Sequence, residues 1–267
     1  MTDIEMTTAT AEVAVGVAQR PGTEPPCADG AHVHRRGNRV CAAVVDGAGH
    51  REEVVDFARH APSVITLMGM AMGGLVGLTA AGRMAGAYDD PPHMSAVYAS
   101  MQPGRPTGIH WIGDCRAYGW DGEKLTQWST DQTMGQWLRW NGGVPIEIAQ
   151  SQDNWARLGL AQATEMTCRQ LEIPEDIPLV LLVSDGISDQ VDQEMAEALC
   201  QEHADASQTL ADVLVAAAEG EEGRTPGSCT ATTRPSSFCA GPPPPELTQQ
   251  PTCQASDLRP RPALSIR

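Results

Sequence analysis

Two apolar runs in this chain stop abruptly at Asp-Gly: residues 44–50, Val-Val-Asp-Gly-Ala-Gly-His, and residues 182–189, Leu-Val-Ser-Asp-Gly-Ile-Ser-Asp. A short apolar run of this kind reads as a buried strand. Its closing carboxylate then stands at the rim of a sheet, and the glycine after it lets other backbone approach closely. A fold that satisfies both runs can bring two distant strand ends to one rim. Oxygen ligands gathered there suit a hard cation such as Mg2+ or Mn2+. Asp-Gly is also a common turn dipeptide, so either run alone reads more readily as a turn. A third segment of the same kind favours the shared site: residues 109–120, Ile-His-Trp-Ile-Gly-Asp-Cys-Arg-Ala-Tyr-Gly-Trp, an apolar strand interrupted at Gly113-Asp114.

Around these segments the periodicity changes in blocks. Strands are expected over 12–19, 32–35 and 39–46, the last two joined by a Gly37-Asn38 turn. Helices follow over 51–60 and 63–88, stopped by Asp89-Asp90-Pro91-Pro92. Residues 94–102 fit either state. Residues 108–120 and 124–128 read as a hairpin around Asp121-Gly122, and 131–140 as a helix ended by Asn141-Gly142-Gly143. A second hairpin is expected from 164–173 and 179–184, and amphipathic helices over 192–203 and 206–219. Strands and helices in blocks, not in strict alternation, point to an α+β fold with two mainly antiparallel sheets and helices outside them.

Charge narrows the partners. A formal net charge of −16 disfavours nucleic acid, whose phosphates need Lys and Arg, and anionic membrane surfaces. The stretch 64–82 carries no charged residue and is long enough to span a bilayer. Its glycines at 69, 73, 74 and 77, and the lack of an aromatic belt before it, favour a buried helix pair instead. The eight cysteines include no Cys-x-x-Cys pair, so no zinc site is expected, and free thiols in a reducing cytoplasm are the simpler reading.

The order Asp46-Gly47-x-Gly49, then Gly113-Asp114-Cys115-Arg116-Ala117-Tyr118, then Leu125-Thr126 with Asp131, then Ser184-Asp185-Gly186 resembles the metal-dependent protein phosphatases of the 2C type (the PPM family) over residues 12–233. Cys115 stands where that family usually has serine. The resemblance implies a four-layer α-β-β-α sandwich with metals at one end. It implies hydrolysis of phosphoserine and phosphothreonine esters with two or three Mg2+ or Mn2+ ions, a phosphoprotein substrate and a cognate kinase as a further partner. By the same resemblance Asp46 bridges the metals, the Gly47 carbonyl ligates one of them, Asp185 holds another and Asp114 serves a looser third ion. Asp46 and Asp185 are thus the catalytic candidates. Asp131 and Asp189 read as hydrogen-bonding or capping residues, and the phosphate-binding group is not identified.

Three departures from the family pattern bear on activity. Gly227 and Ser228 stand where a metal-ligating aspartate and an asparagine are expected. Glu24 occupies the position of a phosphate-binding arginine, with Ala28-Asp29 in place of an acidic pair and Arg20 a substitute cation. Arg234-Pro235-Ser236 replaces the final strand. The sequence therefore implies a phosphatase with weakened turnover, or an inactive relative that binds phosphoproteins or regulates a kinase. Residues 1–11 read as a flexible N-terminus and 12–233 as the phosphatase-like domain lacking its last strand. Residues 234–267 read as a disordered proline-rich tail, and nine of the twenty prolines lie from residue 224 onward. A shifted reading frame or a proline-rich ligand are the alternatives for that tail.

Overall fold

The computed structural model describes residues 12–20, 27–218 and 263–266. Ten strands form two five-stranded sheets in which every pairing is antiparallel. Sheet 1 runs in the order β2 (Asp29–Arg36), β3 (Arg39–Gly47), β4 (Met94–Met101), β5 (Thr107–Ile112), β8 (Arg169–Ile173). Sheet 2 runs β1 (Val15–Ala18), β10 (Ala263–Ile266), β9 (Leu179–Val183), β6 (Arg116–Trp120), β7 (Leu125–Gln127). Helices α1 (Glu52–Met72) and α2 (Gly74–Ala85) cover sheet 1, and α6 (Gln193–His203) and α7 (Ser207–Ala217) cover sheet 2. The molecule is the expected four-layer α-β-β-α sandwich.

The two faces of β3 explain why its sequence is a continuous apolar run. Cys41, Ala43 and Val45 pack toward α1, while Val40, Ala42 and Val44 pack between the sheets. β9 does the same: Leu179, Leu181 and Val183 face α6 and α7, and Val180 and Leu182 face sheet 1. A strand buried on both sides cannot alternate polar and apolar residues. Short helices α3 (Met134–Asn141) and α4 (Ile146–Gln150) project from the end of the sandwich that follows β7. Thr133 caps α3 by accepting a hydrogen bond from the Gln136 amide, and Asp192 caps α6 from the Met195 amide. The four-residue α5 (Asp185–Ser188) follows β9 directly.

Several elements depart from the sequence reading. The first helix runs through Pro62 and breaks at Gly73. Pro62 lies buried inside α1 without ending it, whereas Gly73 adopts φ +98°, ψ 158°, a conformation open to glycine. Residues 108–120 are not one strand: Gly113, at φ +91°, turns the chain from β5 in sheet 1 to β6 in sheet 2. The 164–173 and 179–184 segments do not pair with each other. β8 pairs with β5 and β9 pairs with β6 and β10, so the connection crosses between sheets. The tail also contributes to the fold: Ala263–Ile266 lies between β1 and β9, in the slot that the reading leaves empty. Four residues with one serine are too short for a visible pattern, and the register with two apolar strands supplies what the sequence does not. Residues 64–82 belong to α1 and α2, and no helix among the described residues is long and apolar enough to cross a membrane.

Candidate active site

The described acidic residues of the sequence motifs gather at one end of the sandwich because the strands alternate in direction. β3 ends there, β4 begins there, β5 ends there, β6 begins there and β9 ends there. Asp46 sits one residue from the end of β3, opposite Asp29 on β2 and Ser95 on β4. Asp29, Asp46 and Asp114 are 8%, 5% and 6% exposed, so three carboxylates are buried at this rim. Burying a carboxylate is costly unless polar partners surround it. Ser95 supplies one: its hydroxyl donates to Asp114 Oδ1 at 2.6 Å, and the Asp114 amide donates back to Ser95 Oγ at 3.2 Å.

Two glycines permit this crowding. A Cβ on Gly113 would lie 2.1 Å from Ser95 Oγ, so only glycine lets Asp114 turn inward beside Ser95. A Cβ on Gly47 would lie 2.6 Å from the Ala28 carbonyl oxygen, and the Gly47 amide donates to that same oxygen at 3.0 Å. The Asp-Gly pattern is thus a packing requirement at the strand end.

Asp185 is the first residue of α5 and is half-buried. Near it Arg116 opens β6 opposite Val183, the last residue of β9. The Arg116 guanidinium pairs with Asp131 at 2.8 Å and with Asp189 at 3.0 Å. Burial disfavours its charge, but the hydrogen bonds and charge of Asp131 outweigh that and hold it protonated well above the usual arginine range. Burial raises the Asp189 carboxyl, Arg116 opposes the rise, and the Asp131 and Asp46 charges add to it. Asp46 also acts on the imidazole of His93, whose pKa burial lowers. His93 Nε2 lies 3.0 Å from the Ala156 carbonyl oxygen, and its own carbonyl accepts from the Ala48 amide. The loop after Asp46 is therefore tied to the segment after α4.

The structure places Asp46 and Gly47 at the end of β3, Asp114 in the connection from β5 to β6 beside Ser95 of β4, and Asp185 directly after β9 at the same end of the sandwich. Asp131 and Asp189 are hydrogen-bonding residues, as the sequence suggests. Ser95, His93 and the bridging role of Arg116 were not read from the sequence. Asp29 was read only as the remaining half of an acidic pair, and its place opposite Asp46 was within reach, since counting outward from the Gly37-Asn38 turn brings the two together. Glu24, Gly227 and Ser228 lie outside the described residues.

The chain matches no protein-family model and no curated protein sequence. It does match solved structures. The serine/threonine phosphatase PstP/Ppp of Mycobacterium tuberculosis shares 19% identity at a TM-score of 0.63, covering 95% of this chain and 97% of that one. Stp1 of Staphylococcus aureus shares 12% at 0.66, over 96% and 94%. The PPM Ser-Thr phosphatase MsPP of Mycobacterium smegmatis, in complex with cacodylate, shares 16% at 0.63, over 96% and 98%. At these identities the likeness is one of fold.

In kind, the donors fit a hard cation: carboxylates of Asp46, Asp114 and Asp185, and the carbonyl of Gly47. In number they fall short. Among the described residues no group of three or more His, Cys, Asp or Glu is placed to hold a metal ion, and Asp131 and Asp189 are committed to Arg116.

Proposed function

We propose that this chain is a protein serine/threonine phosphatase of the PPM type, acting on phosphoproteins in the cytoplasm with weak turnover. One observation carries the reading. Asp46 and Asp114, two of the carboxylates that the motifs single out, are buried at or just past the ends of strands of a phosphatase-like sandwich, where packing alone would favour apolar residues, and half-buried Asp185 follows β9 directly.

Asp46, the Gly47 carbonyl and Asp185 would hold Mg2+ or Mn2+, with Asp114 serving a looser ion. Divalent ions at such a rim supply an activated water nucleophile and neutralise charge on a phosphoryl group. The protein's own residues prepare the rim. Ser95 fixes Asp114 by a reciprocal pair of hydrogen bonds. Arg116 fixes Asp131 and Asp189, and this commitment makes it a positioning group, with no charge to spare for substrate phosphate.

A second reading follows from the sparse ligand set among the described residues: a phosphatase-like protein that binds phosphoproteins, or regulates a kinase, without hydrolysis. Incubation with a phosthreonine peptide and Mn2+ separates the two. Phosphate release that is stopped by a chelator supports the phosphatase. Saturable peptide binding with no release supports the second reading.

A further inference from the structure

A cleft beside the acidic rim is lined by Trp137 and Trp140 of α3, by Met166, and by Arg157 and Arg169, with Asp131 and Gln132 at its floor. Its volume is about 150 Å³, below the ~300–1,000 Å³ usual for small-molecule sites. It suits one or two side chains of a peptide. Three apolar residues on it are open to solvent: Trp137 at 41%, Trp140 at 60% and Met166 at 87%. Clustered exposed aromatic residues mark a surface that binds something, and Trp and Arg are the residues that dominate binding energy at such surfaces.

Charge identifies the occupant. Arg157 and Arg169 are exposed and make no ion pair or side-chain hydrogen bond with the described residues. The one carboxylate in the lining, Asp131, is held by Arg116. Two uncommitted guanidinium groups on a chain of net charge −16 form a local cationic spot, which selects an anionic side chain. The cleft is also rigidly joined to the rim. Gln132 accepts from the Gly113 amide at 2.8 Å and donates to the Thr167 carbonyl at 2.7 Å. The Arg157 amide donates to the Gln132 carbonyl. Arg169 opens β8, in register with Trp111 of β5.

We propose that this cleft is the specificity subsite of the protein: it takes an acidic residue, with an apolar residue beside it, from a peptide whose phosphorylated residue lies at the Asp46 rim. The phosphorylated nature of that peptide rests on the phosphatase reading above; the preference for an acidic, apolar segment rests on the cleft alone. The chain's own Pro242–Pro245 segment is the chief rival occupant, because prolines pack on tryptophan. The four arginines of the surrounding tail argue against it, since they would meet Arg157 and Arg169.

The test is tryptophan-fluorescence titration of the full chain with two probes. One is a phosphothreonine peptide followed by leucine and three glutamates, and the other is the same peptide with glutamines. Tighter binding of the glutamate peptide is expected, by about ten- to a hundredfold, the worth of one or two charge-assisted hydrogen bonds. That preference disappears in Arg157→Ala/Arg169→Ala. Trp140→Ala, at an exposed site, weakens both peptides alike. Equal binding of the two peptides by the unaltered protein overturns the proposal, whatever the variants do. So does saturation of the cleft by a tetraproline peptide with no response to glutamate, or quenching that tracks self-association. Hydrolysis of p-nitrophenyl phosphate by the unaltered protein reports on the rim separately. Its absence, with the glutamate preference intact, removes the phosphatase reading and leaves the subsite.

Discussion

Arg116 shows how much of this molecule rests on single buried charges. Its side chain and that of Asp131 are each 18% exposed, and the same guanidinium also holds Asp189. Removing Arg116 leaves Asp131 buried without compensation, whereas the side chain of Asp189, 47% exposed, keeps much of its hydration. Arg116→Ala is expected to destabilise the protein by about 3 kcal/mol, the lower end for a broken buried pair. Urea unfolding of the two proteins measures it, and a loss under about 1 kcal/mol would show that Asp131 and Asp189 are solvated well enough without it. Ser95 offers a gentler case. Ser95→Ala takes one hydrogen bond from a buried carboxylate, so a cost of about 1.5–3 kcal/mol is expected, read from the same unfolding curves. At this scale the sequence was informative where a residue type had no structural substitute. Gly47 and Gly113 are required by close backbone and side-chain approach, and that requirement is visible as Asp-Gly and Gly-Asp. Ser95 and His93 were not legible, because nothing in their neighbours says that β4 begins beside Asp46.

Among the elements, the α1–α2 pair and the last strand depend on contacts that sequence periodicity does not record. A Cβ on Gly77 would lie 2.4 Å from the Ile65 carbonyl oxygen, so α2 crosses α1 with backbone against backbone. Gly77→Ala forces the helices apart, at an expected cost of about 1–3 kcal/mol by overpacking. A melting temperature equal to that of the unaltered protein would contradict the close crossing. β10 makes a stronger demand. It pairs with β1 on one side and β9 on the other, so a chain ending at residue 233 leaves both neighbours with open edges. That shortened chain is expected to lose cooperative unfolding and to aggregate, judged by calorimetry and light scattering. A shortened chain that melts like the full one would restore 12–233 as the complete domain. The double burial of β3 and β9 was legible as apolar runs. The Gly73 break was hidden, because Pro62 is the stronger helix breaker by rule. The partner of β8 was hidden too, because adjacency in sequence favours a hairpin, and only the packed sheets decide otherwise.

For the molecule as a whole, burial lowers the pKa of His32, His93 and His110 from the ordinary 6.5. The His34 charge adds to the shift at His32, while the Ala156 carbonyl and Asp46 oppose it at His93, and Gln170 opposes it at His110. A depressed folded-state pKa means that the unfolded chain takes up the proton first. The stability these groups contribute is present above pH 6.5 and is lost as pH falls through their lowered values. The melting temperature is therefore expected to drop between pH 7.5 and pH 5.5, two ordinary assay conditions that bracket the histidine range. No drop would mean that the three rings are solvated. The central claim is that the rim of Asp46, Asp114 and Asp185 performs phosphoester hydrolysis that depends on a weakly held divalent cation. Hydrolysis of p-nitrophenyl phosphate as Mn2+ is raised, for the unaltered protein and Asp46→Asn, tests it most directly. The expected rate is slow, climbs into millimolar Mn2+ without an early plateau, as an incomplete oxygen site requires, and is abolished in a folded Asp46→Asn. A rate that ignores Mn2+, or that survives in Asp46→Asn, would contradict it.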